Sequence, residues 1–298
     1  MKITVVILTK NEEKNIERAI KSVQFCNEII IIDDYSSDKT LDIVYKVLKV
    51  HKVFQRKLNN DFAGQRNFGM TKAKNEWVFF LDADEEVSDE LQNEIKSIHR
   101  NFQFPISPST SSGSRVKSRD NFQSNPESKI LNSKDTEVAA FYIKRRDFFW
   151  GEELKYGETM KLRNQGIIRL FNKGSGRWEG KVHEVYKLKS QISNVKTFHN
   201  YLNHFPHQTV KEFLEEVNFY SSLRAKELLV QGKSSNIFEI IFYPLGKFLL
   251  TYFVKLGFLD GVQGFVYAFF MSFHSFLVRT KHYQYSKLNN LGSHSGER

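Results

Sequence analysis

A chain of 298 residues with 40% hydrophobic and 26% charged residues can bury a sizeable core, which excludes a chain that is disordered throughout. The formal net charge of +10 suits nucleic acid, an anionic membrane or a phosphorylated substrate as partner. The single cysteine, Cys26, excludes an intramolecular disulfide and a cysteine-based zinc site, and it suits a reducing compartment. Because Met1 leads directly into a strand-like run without a signal-peptide pattern, the N-terminus is expected in the cytosol.

The first hundred residues alternate between strand-like and helix-like patterns. Buried strands are predicted at 3–8, 29–32, 53–54 and 77–81, with helical or turn-like segments between and after them. The predicted apolar helix faces are Ile16, Ala19, Ile20 and Val23, then Leu41, Val44, Tyr45 and Leu48, then Leu91, Ile95 and Ile98. This alternation predicts an α/β fold with a mainly parallel, Rossmann-like sheet flanked by helices. The usual glycine-rich dinucleotide and P-loop motifs are absent from the sequence.

Two carboxylates, Asp82 and Asp84, end the apolar run at 77–81, and Ser88 follows as the predicted N-cap of the next helix. The carboxyl end of a buried strand is the edge at which open α/β sheets bind ligands. An Asp-x-Asp step can direct two oxygens to one divalent cation that also holds phosphates. Asp33 and Asp34 end the second strand in the same way, so we expect them to face the same crevice. Helix capping is the alternative role for this pair, and Ser36 or Ser37 is predicted to cap the second helix.

The second half of the chain begins with a segment rich in Ser, Asn and Lys at 102–137, which is predicted as a mobile surface insertion. Further strands are predicted at 139–143 and 166–170, and a helical period begins at Val210. Its predicted residues are Phe213, Leu214, Val217, Tyr220, Ser221, Arg224 and Leu228. The apolar segments at 237–259 and 262–278 are predicted as two short helices in a membrane interface, and a packed helical pair or a dimer contact is the alternative.

Several ordered motifs resemble those of family 2 glycosyltransferases, which have the GT-A fold. They are Val5-Val-Ile-Leu-Thr-Lys-Asn11-Glu12, Ile30-Ile-Ile-Asp33-Asp34, Gln65-Arg66-Asn67-Phe-Gly69 and Phe80-Leu-Asp82-Ala-Asp84. The later Arg169-Leu-Phe, Trp178-Glu-Gly-Lys-Val-His183-Glu184 and His204-Phe elements are similar to the branch that builds the lipopolysaccharide core. The resemblance covers roughly residues 1–100 and 139–290, and the insertion has no counterpart.

The resemblance implies metal-dependent, inverting transfer of a sugar from a nucleotide-sugar donor, with a UDP-hexose expected, to a lipid-linked or lipopolysaccharide-type acceptor. Asp84 is the expected ligand of Mg²⁺ or Mn²⁺, and His204 is the first candidate for a second ligand. Asp82, grouped with the catalytic residues, is expected to reach the ribose or share the metal. The remaining donor-binding candidates are Thr9 and Glu12 at the base and ribose, Asp33 or Asp34 at the uracil N–H, and Arg66 at the diphosphate, unless Arg66 is a solvated surface arginine.

The base that takes the proton of the acceptor hydroxyl is expected to be Glu184, with Asp147 and Glu158 as rivals. His199 and His207 are interpreted as ordinary loop histidines. The predicted organisation is a GT-A domain at 1–205 and a helical region at 206–298, in a protein that is peripheral or monotopic on the cytoplasmic face of the plasma membrane.

Three other functions are weaker interpretations of the same sequence. A nucleotidyltransferase would require an N-terminal glycine-rich phosphate loop, which is absent. An Asp-nucleophile phosphohydrolase usually carries its Asp-x-Asp near the first strand. A non-catalytic membrane-surface protein would not need Asp34, Asp82, Asp84 and Glu184 together. No nucleic-acid partner is expected, because the basic residues are spread along the chain without a recognised motif.

The insertion supplies a first testable prediction. Deleting residues 107–133 should leave donor hydrolysis and the thermal midpoint nearly unchanged, because low-complexity polar sequence adds little to a core. Differential scanning calorimetry and a donor hydrolysis assay on the deletion variant provide the measurement. Loss of cooperative unfolding in this variant would contradict the prediction.

Overall fold

The computed structural model describes residues 1–47, 50–101, 138–180, 184–190, 192, 194–233 and 236–294. The predicted insertion at 102–137, Leu48 and His183 lie outside the described residues. The strands are β1 (Ile3–Thr9), β2 (Glu28–Asp33), β3 (Lys52–Gln55), β4 (Trp77–Asp82), β5 (Glu85–Val87), β6 (Ala140–Phe149), β7 (Glu152–Leu154), β8 (Ile167–Asn172), β9 (Gly176–Glu179), β10 (Val185–Leu188) and β11 (Val195–His204). The helices are α1 (Ile16–Ser22), α2 (Thr40–Lys46), α3 (Phe62–Lys72), α4 (Asp89–Asn101), α5 (Met160–Gln165), α6 (Val210–Val230), α7 (Ile237–Leu249) and α8 (Gly261–His294).

The main sheet has the strand order β3-β2-β1-β4-β8-β6-β11-β5, and β7 pairs with β6. The first four strands in this order are parallel, whereas β8 is antiparallel to both β4 and β6. The predicted α/β fold class is therefore confirmed, but the sheet is mixed rather than mainly parallel. The difference arises in the second half, where only the short helix α5 separates β7 from β8, and β8 returns antiparallel beside β6.

Strands β1, β2 and β4 are buried on both faces, as their uninterrupted apolar runs predict, whereas the edge strand β3 is partly exposed. One face packs on α1 and α4 through residues such as Ile7, Ile20 and Leu91, and the other packs on α3 and the β9–β10 hairpin. Helix α3 approaches the sheet closely at Gly69, where a Cβ atom would lie 2.6 Å from Cγ1 of Val6. This close approach brings Arg66, one turn earlier on α3, to the edge of the sheet.

Most predicted elements are confirmed, with differences at the second helix. The predicted face of α1 is fully buried, and Ser88 accepts a hydrogen bond from the Leu91 N–H (3.2 Å) as the predicted N-cap. Tyr45 is 70% exposed, so its assignment to the buried face of α2 was wrong. The predicted Ser36 or Ser37 cap was also wrong, because Asp38 accepts the Thr40 N–H (2.9 Å) at the start of this helix.

The C-terminal helices pack on the end of the sheet. Phe149 and Leu154 of β6 and β7 form one buried cluster with Phe213 of α6, and the α8 residues Tyr267 and Phe270 pack against it. A π-helical turn (Leu250–Val254) and a 3₁₀ turn (Gly257–Asp260) connect α7 to α8. Because α8 continues for 34 residues, the prediction of two short helices was wrong for the second one.

By length and composition alone, the segments Ile237–Val254 and Gly257–Leu288 could each cross a membrane. Only 6% of the most apolar window of the first and 22% of that of the second is buried. The core helix of a soluble protein is mostly buried, whereas most of each of these two windows is not.

Candidate functional site

Three parallel strands end side by side at one edge of the sheet. Thr9 at the end of β1 pairs with Asp33 of β2, and Leu8 pairs with Asp82 of β4. The structure therefore brings the predicted site residues of the first hundred positions together, with β1 lying between β2 and β4. This follows from the chain direction alone, because parallel strands present their carboxyl ends at the same edge.

Asp33 and Asp34 have different environments. Asp33 is fully buried, and its carboxylate accepts hydrogen bonds from the Ser36 N–H (3.1 Å) and from Gln55 Nε2 (3.1 Å), so it stabilises the turn after β2. The carboxylate of Asp34 is 14% exposed and binds Lys10 Nζ (2.7 Å) and the Leu58 N–H (2.9 Å). Of the two carboxylates, only that of Asp34 retains access to the crevice.

Thr9 is the last residue of β1, and Glu12 lies in the loop that follows it. Thr9 Oγ1 is buried and has no hydrogen-bond partner among the described residues. A buried hydroxyl without a partner is costly, and such groups often face a ligand. Burial, followed by the nearby charge of Asp84, raises the pKa of Glu12 to about 7. Both residues therefore carry signs of a polar ligand site, and their assignment to the base and ribose stays a prediction.

Glu184 and Asp82 are joined by buried arginines. Arg66 Nε donates to Glu184 Oε1 (2.8 Å), and Arg66 Nη2 donates to Asp82 Oδ1 (2.9 Å). On its other side Asp82 accepts from Arg169 Nη2 (2.5 Å), which also contacts Glu85 Oε1 (3.2 Å). The side chain of Arg66 is 5% exposed, which excludes the solvated surface arginine considered from the sequence. Burial favours a raised pKa for Asp82, but Arg169 and Arg66 hold that pKa below its usual range.

The same line of ion pairs continues to Asp84. Arg145 Nη1 lies 3.7 Å from Glu85 Oε1, and Arg145 Nη2 lies 2.9 Å from Asp147 Oδ1. Asp147 in turn binds Nδ1 of His204, whose Nε2 lies 3.1 Å from Asp84 Oδ2. Burial and Arg145 favour a low pKa for His204, but Asp84 and Asp147 raise it to about 9. We name the whole set, from Glu184 through Arg66, Asp82, Arg169, Glu85, Arg145, Asp147 and His204 to Asp84, the ion-pair line.

The ion-pair line has the composition of a cation site at one end. In their ionised forms its five carboxylates face three guanidinium groups, which leaves two excess negative charges, and the imidazolium of His204 offsets one of them. Asp84 and His204 are neighbouring donors of the kinds that Mn²⁺ accepts, and Asp147 holds the second ring nitrogen, as carboxylates commonly do for metal-bound histidines. Among the described residues, no group of three or more His, Cys, Asp or Glu side chains is arranged to hold a metal ion.

Two strands that the sequence analysis missed, β5 and β11, assemble this end of the site. Strand β11 places His204 beside Asp147 of β6 and Glu85 of β5, and the Phe205 N–H donates to the Asp84 carbonyl (3.0 Å). Strand β5 has three residues, and β11 is largely polar, with an irregularity between residues 197 and 201. Neither strand shows a continuous apolar pattern. Sequence analysis therefore missed Glu85, Arg145 and the structural role of Asp147. The available signal was that an acidic residue, Glu85, directly follows Asp84.

The rivals of Glu184 have other partners. Glu158 binds Lys247 Nζ (2.9 Å) and Lys255 Nζ (3.4 Å), which connects the loop after β7 to the helical pair. Asp147 is 1% exposed and lies between Arg145 and His204. Neither rival contacts Arg66, which binds both Glu184 and Asp82.

The two other histidines lie outside the ion-pair line. His199 belongs to β11 rather than to a loop, and its N–H donates to Glu94 Oε1 (2.9 Å). His207 stacks on Phe213 at 4.0 Å between ring centroids, and its Nδ1 lies 3.3 Å from Glu216.

Comparison with known proteins gives concordant matches. A family model described as glycosyl transferase family 2 matches residues 4–155, just over half of the 298 residues. An uncharacterised glycosyltransferase of Rickettsia typhi is 28% identical over 94% of this chain and 86% of its own length. The lipopolysaccharide core biosynthesis glycosyltransferase LpsC of Rhizobium meliloti is 27% identical over 93% of this chain and 90% of its own length. Among solved structures, S. aureus TarS 1-349 in complex with UDP-GlcNAc is 14% identical, with a TM-score of 0.44 over 96% of this chain and 92% of that chain.

Proposed function

Because this chain belongs to glycosyl transferase family 2, and is a glycosyltransferase, we propose that it transfers a hexose from a UDP-sugar, with inversion, to a lipid-linked or lipopolysaccharide-type acceptor. The observation that carries the proposal is the ion-pair line. It joins the proposed donor-binding carboxylate Asp82, the proposed metal ligands Asp84 and His204 and the proposed base Glu184 within one buried network. Such a network fixes the distance between the proposed metal ligands and the proposed base, and an in-line transfer requires this distance to be fixed.

We place the nucleotide at the ends of β1 and β2. Asp34, rather than the enclosed Asp33, would accept the uracil N–H, and Thr9 and Glu12 would line the base and ribose. Tyr35 follows Asp34 in a left-handed conformation (φ 53°) with half of its ring exposed, and is therefore available to stack on the base. Arg66 Nη1 is buried without a hydrogen-bond partner among the described residues, which leaves one donor for the diphosphate.

We place Mg²⁺ or Mn²⁺ at Asp84 and His204, with Asp82 sharing the diphosphate side of this site. The cation, when bound, stabilises the negative charge that develops on the leaving diphosphate. Asp147 fixes the imidazole ring of His204 so that Nε2 faces Asp84. The two side chains would supply one carboxylate and one imidazole donor at a single point of the crevice, with loss of the Nε2 proton of His204, because only a neutral imidazole binds a metal.

Glu184 is our proposed base. Its side chain is 13% exposed, so it is accessible but largely removed from bulk water. Arg66 holds one carboxylate oxygen, which orients the group toward the crevice. A base held in this way accepts the proton of an acceptor hydroxyl as the new glycosidic bond forms.

We propose that the acceptor is reached at the cytoplasmic face of a membrane, through a surface that we call the aromatic surface. Its exposed residues include Phe238, Ile241, Phe242, Leu245, Phe253, Val254, Phe258, Leu259, Val262, Phe265 and Phe269. An exposed apolar area of this extent is typical of membrane or protein contacts. Since α8 packs along α6 from Phe270 to Lys281, the pair is better suited to lie in the interface than to cross the bilayer.

Four basic residues in these helices and the turns that connect them are candidate partners for anionic headgroups: Lys247, Lys255, Arg279 and Lys281. In the structure Lys247 and Lys255 bind Glu158, and Arg279 pairs with Glu239 at 3.6 Å. Lys281 donates to Asn218 and to the Ser221 and Ser222 hydroxyls of α6. Each of these cations therefore already has partners within the protein. The proposed membrane contact then depends mainly on apolar contacts.

A direct assay tests the proposed reaction. Purified full-length protein is incubated with UDP-, GDP- and ADP-sugars and with membrane extract as acceptor source, with Mn²⁺, with Mg²⁺ or with EDTA. We expect transfer from a UDP-hexose, with metal, into the lipid fraction. Metal-independent transfer, or transfer only from another nucleotide sugar, would contradict the respective part of the proposal.

The aromatic surface is tested by liposome flotation. Full-length protein should float with liposomes, and the variant Phe242→Ser/Phe253→Ser/Phe269→Ser should float much less. Loss of three half-exposed rings removes on the order of 3 kcal/mol of apolar transfer, about a hundredfold in partitioning. Truncation at Ile237 is less suitable, because α8 covers Phe149 and Phe213 and its removal would expose that core.

The control for flotation is Tyr45→Ser/Val230→Ser, which removes two side chains that are 70% and 89% exposed elsewhere. This control should float like the unmodified protein. Flotation should also change little between low and high salt, because the four nearby cations bind the protein. Flotation that requires anionic lipid, or a monomeric protein that never floats, would contradict the proposed contact.

A further inference from the structure

We infer that Glu85 and Arg145 are positioning residues that hold the metal-binding end of the crevice in a fixed relation to the donor and base end. The inference rests on the proposed function, and it concerns two residues to which the motifs assign no role. Both lie at the centre of the ion-pair line, between Asp82 and Asp84.

Glu85 contacts three parts of the site at once. Its side chain is fully buried. Oε2 accepts the backbone N–H of Asp82 (3.0 Å), which fixes the turn that contains Asp84. Oε1 lies 3.2 Å from Arg169 Nη2 and 3.7 Å from Arg145 Nη1. One carboxylate therefore determines the path of the Asp-x-Asp segment and connects the arginines on its two sides.

Arg145 continues this connection to the imidazole. It contacts Glu85 on one side and Asp147 on the other, and Asp147 binds His204. Both arginine contacts lie in a region removed from water, where the side chain of Arg145 is 17% exposed. Asp84 follows Asp82 by two residues, whereas His204 lies on β11. This connection relates His204 to Asp82, together with the β5–β11 pairing and the direct contact between His204 and Asp84.

A purely stabilising role would give a different result from a positioning role. A stabilising residue, once removed, lowers the thermal midpoint but leaves the metal requirement of the folded fraction unchanged. Removal of a positioning residue raises the metal concentration needed for activity, because the metal ligands are no longer held in place relative to each other. Changes to residues that orient metal ligands typically weaken metal binding by about 10- to 100-fold.

The test uses full-length protein and Glu85→Gln, with Glu86→Gln as matched control. Glu86 is the next residue on β5, is only partly buried and is not a member of the ion-pair line. For each protein we would measure the Mn²⁺ concentration at half-maximal donor hydrolysis, kcat, the donor KM at saturating Mn²⁺ and the thermal midpoint. Glu85→Gln should raise the half-saturating Mn²⁺ concentration at least about tenfold and lower kcat, with a smaller change in donor KM. Glu86→Gln should match the unmodified protein.

The second arm uses Arg145→Gln and the double variant Glu85→Gln/Arg145→Gln. If the two residues act as one connection, the loss in the double variant is smaller than the product of the single losses. Arg145→Lys keeps the positive charge but cannot contact Glu85 and Asp147 together. If Glu85→Gln does not fold, this variant provides the test. Independent effects in the double variant, or a lower thermal midpoint with an unchanged Mn²⁺ requirement, would overturn the inference. An inactive unmodified protein would instead count against the proposed function.

Discussion

Asp84→Asn should reduce sugar transfer by on the order of a thousandfold while the protein remains folded. The substitution keeps the volume of the side chain and a hydrogen-bond acceptor for His204 Nε2, but it removes the anionic ligand. The substitution should remove about 4 kcal/mol of charge stabilisation in the transition state. Each tenfold change in rate corresponds to about 1.36 kcal/mol, so this loss gives the expected factor. Initial rates over a Mn²⁺ titration, with the thermal midpoint as a measure of folding, provide the test.

Asp89→Asn is the matched control for this experiment. Asp89 lies five residues later, at the exposed start of α4, and makes no contact with the ion-pair line. The control should transfer sugar at close to the normal rate. Near-normal activity of Asp84→Asn in EDTA would contradict both the proposed metal ligand and the metal dependence.

Glu184→Gln should preserve donor binding and reduce kcat by about 10²- to 10⁴-fold, the usual contribution of a positioned general base. The amide oxygen of glutamine can still accept the hydrogen bond from Arg66 Nε, so Arg66 keeps its place beside Asp82. What the variant loses is the ability to accept the acceptor's proton. Titration of UDP by calorimetry and steady-state kinetics with the acceptor separate the two effects.

Glu179→Gln is the corresponding control, since Glu179 lies in the same hairpin region and forms exposed pairs with Arg177 and Lys187. Exposed pairs of this kind contribute about 0–1 kcal/mol to stability, so this variant should behave normally. A near-normal kcat for Glu184→Gln together with an inactive Asp147→Asn would not by itself identify Asp147 as the base. Asp147 contacts His204, so such a result would need the Mn²⁺ titration to separate a lost base from a displaced imidazole.

The enclosure of Arg66 has a consequence for the donor. Its guanidinium binds Asp82 and Glu184 and keeps one buried nitrogen without a partner in the described part of the chain. A diphosphate that accepts a hydrogen bond from this nitrogen would meet an arginine already held in place by two carboxylates. Because the ordering of the side chain has occurred before the donor arrives, less conformational entropy is lost on binding.

The sequence alone determined the part of the candidate site that lies at the ends of the parallel strands. Uninterrupted apolar runs such as 3–8, 29–32 and 77–81 predict buried parallel strands, and the direction of these strands requires Thr9, Asp33 and Asp82 to meet at one edge. The motifs around them identified the family that the comparison with residues 4–155 confirms. These features are local, because each depends on a short stretch of the chain and on the polar residues that directly follow it.

Only the tertiary structure decided the other half of the site. The pairing of β5 with β11 places His204 beside Asp84, although the two residues are 120 positions apart in the sequence. Neither strand has an apolar pattern that predicts this pairing. Burial distinguishes Asp33 from Asp34, and ion pairs with Glu158 and Glu239 hold Lys247 and Arg279 within the protein. The physical reason is the same in each case: a buried charge requires a partner, and the partner is found through space rather than along the chain.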